Sequence, residues 1–220
     1  MVRFSPVLLF AAVLLGLPAP RTEAAPLLDQ SHIADPGLYG AAVYQSSTLG
    51  QTFVPGRSGR LTSVDVQIGR LPTWDFSYGV SVDVRRVIGG RPGLDASDTL
   101  ATVEIPPDTI PPWAFGAGEP LFTHVDLSAF AVNVKSGEPL AIVLRSHEPH
   151  YFGFYVWETR GFGTADGYLA GSLFSLHPDL AFDLDTDAGF RTYVSPVPTP
   201  PLSAVWAVST CMWVLRRRWR

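Results

Sequence analysis

Strict alternation of apolar and polar residues constrains this chain most. In LTSVDVQIG (61–69), Thr62, Val64, Val66 and Ile68 alternate with Ser63, Asp65 and Gln67. In GVSVDVRR (79–86), Val80, Val82 and Val84 alternate with Ser81, Asp83 and Arg85. A period of two places one set on a buried face and the other toward solvent, so both segments are expected as half-buried β-strands. LATVEIP (100–106) and THVDL (123–127) repeat the pattern more briefly. PLAIVLRS (139–146), apolar on both faces, is expected as a central strand, and YFGFYVWE (151–158) as a further strand.

Turn chemistry separates these runs. PGRSGR (55–60), GGRPG (89–93), KSGEP (135–139) and GFGTADG (161–167) supply glycines for positive φ and prolines for a fixed one. With 20 Gly and 20 Pro in 220 residues, long helices are not expected in the body. The expected fold is all-β, a jelly-roll-like antiparallel sandwich of eight or nine strands over residues 25–195. The stretch PPDTIPPWAFGAGEP (106–120) is expected as a long loop whose Trp113 and Phe115 pack on the sandwich.

The two ends differ from the body. Arg3, the apolar run PVLLFAAVLLGL (6–17) and the small residues of TEA before Ala25 have the order of an export signal, with a helix across its apolar core. Cleavage is expected after Ala24, making 1–24 a signal peptide; an uncleaved anchor helix is the alternative, against which Pro18 and Pro20 close the run early. Residues 196–220 join a proline-spaced start to an apolar segment, Leu202–Leu215, closed by arginines. Fourteen helical residues reach about 21 Å, short of the roughly 30 Å hydrocarbon core, so this short hydrophobic helix suits a pause in export better than permanent anchoring. Its arginines are expected on the cytoplasmic side, leaving the body outside.

Charge and cysteine content narrow the function classes. Residues 25–195 carry nine arginines and Lys135 against nineteen acids, a net of −9, which disfavours nucleic acid as a partner. Cys211, the sole cysteine, lies in the apolar tail, so the body has no disulfide and depends on its core. Within the tail Cys211 reads as a small apolar residue, or alternatively as a lipidated or cross-linked thiol.

Candidate chemistry in the body is sparse. No G-x-S-x-G elbow occurs. HEPH (147–150) sets Glu148 between His147 and His150, but Pro149 forbids the helix a zinc-protease motif needs, so a polar loop is expected. A hydrolase, the third reading, would need paired carboxylates such as Asp75 and Glu158. Asp183, Asp185 and Asp187 would point one way from an extended chain, a candidate structural Ca2+ site; the alternative is a solvated turn. No other cofactor is expected. Trp74, Tyr78 and Trp157, with Phe76 and Tyr155 nearby, are candidate aromatic platforms for a polysaccharide, or core.

Two resemblances follow from these residues. GQTFVPGRSGRLTSVDVQI, GGRPGLDASDTLATVEIP, VDLSAFAVNVKSGEPLAIVL and GFRTYV look like a poorly characterised β-sandwich domain of secreted bacterial proteins of choice-of-anchor type, and the likeness covers most of 45–194. Val197, Pro198, Thr199 and Pro200, the apolar segment, and Arg216, Arg217, Arg218 and Arg220 resemble a PEP-CTERM sorting signal, with Thr199 where the usual motif has Glu. That resemblance implies an exosortase-type membrane protease as partner, transient inner-membrane insertion, and delivery to the cell envelope, cell surface or extracellular matrix. The expected function is therefore non-enzymatic. The alternatives are a carbohydrate-binding module at the cell surface and a permanently membrane-anchored surface domain.

Overall fold

A computed structural model describes residues 24–35, 39–71, 75–113, 119–149, 153–160, 167–177 and 180–196. Ala25–Pro196 is one compact unit. Among the described residues it is all-β and antiparallel, with fifteen strands numbered here in chain order and only three-residue 3-10 turns as helical structure. One sheet joins β1 (Leu27–His32), β15 (Phe190–Ser195), β4 (Gly59–Val66) and β10 (Asn133–Val134) in that order, with β9 (Thr123–Asp126) also on β4. A second runs β14 (Leu180–Asp183), β13 (Leu173–His177), β3 (Thr48–Phe53), β11 (Leu140–Ser146), β6 (Val80–Ile88) and β7 (Arg91–Pro92), with β8 (Thr99–Ile105) on β6. The third orders β2 (Gly40–Val43), β12 (Tyr155–Glu158) and β5 (Ile68–Arg70).

The core is sandwich-like. One buried cluster takes Val64 and Phe190 from the first sheet, Val82 and Ile142 from the second, and Val43 and Trp157 from the third. Each such large apolar side chain contributes about 1.5–3 kcal/mol through burial. PLAIVLRS does form a central strand, β11, between β3 and β6.

The strand count exceeds the eight or nine expected because short strands such as β7 and β10 join the sheets and one expected run is broken at an inward polar side chain. LTSVDVQIG is not one strand. It leaves the first sheet at Gln67 and enters the third as β5. Gln67, expected to face solvent, is wholly buried: its Oε1 accepts the Ala34 N–H (3.0 Å), and its Nε2 donates to the Ala34 carbonyl (3.1 Å) and to Glu158.

β6 departs from expectation in the same way. Ser81 and Asp83, assigned to the solvent face, are 1% and 0% exposed. The tight turn at Gly89 (φ 60°) and Gly90 (φ 83°) returns the chain as β7, which lays Pro92 over Gly50 of β3. Beneath it Ala141, Val143, Phe174 and Leu176 form a second apolar cluster with Val87 packed against it. Both faces of the second sheet are therefore occupied near its centre.

The loop after Ile105 begins with a 3-10 turn, Pro107–Thr109, and returns to the third sheet. The Trp113 N–H donates to the Arg70 carbonyl (2.6 Å), and the indole-bearing Cβ lies against Gly69. Phe115 lies outside the described residues.

Candidate functional site

Tyr78 is an exposed residue whose main chain is held by buried groups. β11 ends at Ser146, and Pro149 prevents the following segment from turning helical, so His147–Glu148 leaves the sheet extended. Glu148 points inward and is 1% exposed. Its Oε2 accepts two backbone N–H groups, from Ser77 (2.9 Å) and Tyr78 (2.8 Å). The Tyr78 carbonyl accepts the Tyr155 hydroxyl at 2.6 Å. Ser146 Oγ donates to the Gly79 carbonyl (2.8 Å) and accepts the Glu148 N–H (3.1 Å). A Cβ on Gly79 would run into the Ile105 carbonyl, so the chain can pass there only as glycine.

These contacts hold the main chain on both sides of Tyr78, yet the residue stays 51% exposed. The ring meets His147 edge-on, with centroids 6.3 Å apart at 64°. Underneath, Phe76 packs on the Tyr155 ring at 4.6 Å. Burial, and secondarily the Glu148 carboxylate, push the Tyr155 hydroxyl well above its ordinary range, so it remains a donor at physiological pH.

The other sequence candidates lie elsewhere. Trp157 is fully buried and its Nε1–H donates to the Gly189 carbonyl (3.0 Å), so its ring is core and offers solvent no stacking face. Trp74 and His150 lie outside the described residues, as do Val197, Pro198, Thr199, Pro200, Cys211, Arg216, Arg217, Arg218 and Arg220. Asp75 is exposed in the Tyr78 loop, whereas Glu158 is buried at the end of β12 beside Gln67.

Asp183, Asp185 and Asp187 do not face one way. Asp185 adopts φ 51°, which breaks the extended alternation, and its N–H donates to Asp183 Oδ1 at 2.9 Å. Asp187 turns inward, 1% exposed, to accept Gln51 Nε2 (2.9 Å) and the Tyr168 N–H (3.0 Å). The carboxylates thus serve a turn and a buried network. Among the described residues no cluster of three metal-ligating side chains is present.

Two polar clusters were not foreseen. Asp83 accepts Arg85 Nη2 (2.7 Å) from its own strand, and Arg145 Nε (3.2 Å) and the Thr102 hydroxyl (2.7 Å) from the neighbouring strands β11 and β8. Burial raises its pKa, but hydrogen bonds from Arg145, Thr102 and Arg85 outweigh that and leave it below the ordinary carboxylate value. On the outer face of the first sheet, Asp65 lies opposite His124 and Arg191 in register. Its oxygens take His124 Nδ1 (2.8 Å) and the Tyr193 hydroxyl (2.8 Å), while Arg191 lies over the Phe122 ring at 4.0 Å. The signal for this row was the polar positions of β4 and of GFRTYV; what sequence lacked was the pairing that sets them side by side.

No family model and no curated protein matches the chain. Among the described residues no helix is long and apolar enough to cross a membrane.

Proposed function

We propose that this chain is a non-enzymatic exported protein of the cell envelope or extracellular matrix. In this reading a jelly-roll-like sandwich is carried out by the signal peptide 1–24 and sorted by the PEP-CTERM-like tail 196–220, which an exosortase-type protease processes after transient insertion in the inner membrane.

The observation that carries the reading is the register of β1 on β15. Leu27 pairs with Val194, so the first strand begins three residues after the expected signal cleavage and the last ends at Ser195, where the tail starts. In sequence, the two end segments of this reading therefore fall on either side of the compact unit Ala25–Pro196.

The test exchanges the tail arginines in the native host (Arg216→Ser, Arg217→Ser, Arg218→Ser and Arg220→Ser together). The positive-inside bias is then lost, and the chain is expected to be exported without being held and processed. Processing of this variant at the wild-type rate would contradict the proposal.

A further inference from the structure

We propose that the Tyr78 ring, with His147 at its edge, is a stacking platform for a neutral polysaccharide. The inference does not depend on how the tail is processed.

An aromatic ring left in water ordinarily lowers its free energy by folding onto apolar surface. Here the opposite arrangement is built in. A buried carboxylate, that of Glu148, is committed to the backbone N–H groups of Ser77 and Tyr78, and a buried hydroxyl, that of Tyr155, to the Tyr78 carbonyl. Gly79 and Ser146 fix the next peptide. The outcome is an exposed Tyr78 side chain on a backbone held by hydrogen bonds on both sides.

Such a ring binds flat apolar surface at small ordering cost, because little freedom remains to be lost. A pyranose offers that surface on its C–H face, while its rim of hydroxyls needs donors and acceptors. The His147 imidazole lies against the ring, and the exposed Ser77 and Asp75 in the same loop add a hydroxyl and a carboxylate. The net charge of −9 over residues 25–195 opposes polyuronates and other polyanions and leaves neutral chains favoured. An extended polymer, rather than one sugar, fits a single flat platform open on its sides.

The test is affinity electrophoresis of the full-length chain in a non-ionic detergent, through gels carrying hydroxyethylcellulose, xylan, galactomannan or laminarin, with alginate as the polyanion. At least one neutral gel is expected to retard the protein. Tyr78→Ala should weaken that retardation roughly tenfold, and Tyr78→Phe, which keeps the ring, should retain it. Matched thermal melts of the variants separate loss of the platform from loss of fold, and His147→Ala, which leaves the Tyr78 backbone contacts intact, provides a second variant expected to weaken binding. Retardation by none of the neutral gels, retardation by alginate alone, or unchanged binding by Tyr78→Ala would overturn the proposal.

Discussion

The Tyr78 N–H lies 2.8 Å from Glu148 Oε2, seventy residues away in sequence, and the same oxygen holds the Ser77 N–H. This single buried carboxylate ties the loop between the third and second sheets to the end of β11. Loop position and strand end are thus one structural unit.

Removing that carboxylate leaves two backbone donors without their acceptor. Glu148→Ala is expected to cost about 2–4 kcal/mol, lowering the melting temperature by roughly 5–15 °C for a body of this size. Glu148→Gln, which keeps a carbonyl acceptor, should cost less than half as much. Chemical denaturation of the two variants beside wild type checks the order; equal losses would show that side-chain volume, not acceptance, is what matters.

Asp83 gives the stability curve an acid limb. Its folded pKa lies below the ordinary carboxylate value, so it contributes stability that is fully present above about pH 4 and lost as pH falls through the folded value. Asp83→Asn is expected to cost about 3 kcal/mol at neutral pH by leaving Arg85 and Arg145 without their shared anion. The variant should also lose less stability than wild type on going below pH 4. Denaturation midpoints at several pH values measure both effects.

Tyr155 acts at the other end of the scale. Burial raises its hydroxyl pKa, so the folded chain holds a proton that the unfolded chain releases near pH 10; the contribution is complete below that and is lost as pH rises through the folded value. Tyrosinate absorbance should show a component titrating above the ordinary tyrosine range, identified as Tyr155 by its absence in Tyr155→Phe. That variant should also lose about 1 kcal/mol, the net worth of the bond to Tyr78.

Calcium is expected to leave the fold unchanged. Asp187 is committed to Gln51 and Tyr168, and Asp183 to the Asp185 N–H. Adding calcium or a chelator should shift the melting temperature by less than about 1 °C, whereas saturable stabilisation would follow from a native site. Such stabilisation would mean that the aspartates rearrange.

Alternation and turn chemistry made the all-β class legible, because period two and positive-φ glycines are local properties. Val64, Val82 and Ile142 went to the core as their patterns require. Polar positions were less legible. Gln67, Asp83 and Asp187 each look solvent-facing in sequence, and each is buried because a partner distant in the chain supplies its hydrogen bonds. Trp157 and Tyr78 could not be told apart by sequence, since both sit in aromatic runs; the first lies in a strand paired on both sides and is buried, whereas the second lies in a loop whose main chain Glu148 and Tyr155 hold.

The central claim is that the body is delivered by a tail that is then removed. The mass of the C-terminal peptide, taken from protein recovered from its native envelope or medium, tests it most directly. A chain ending between Ser195 and Pro201 is the predicted result, and recovery of a peptide that still carries Trp213 and the arginines through Arg220 would contradict it and identify a permanently anchored domain.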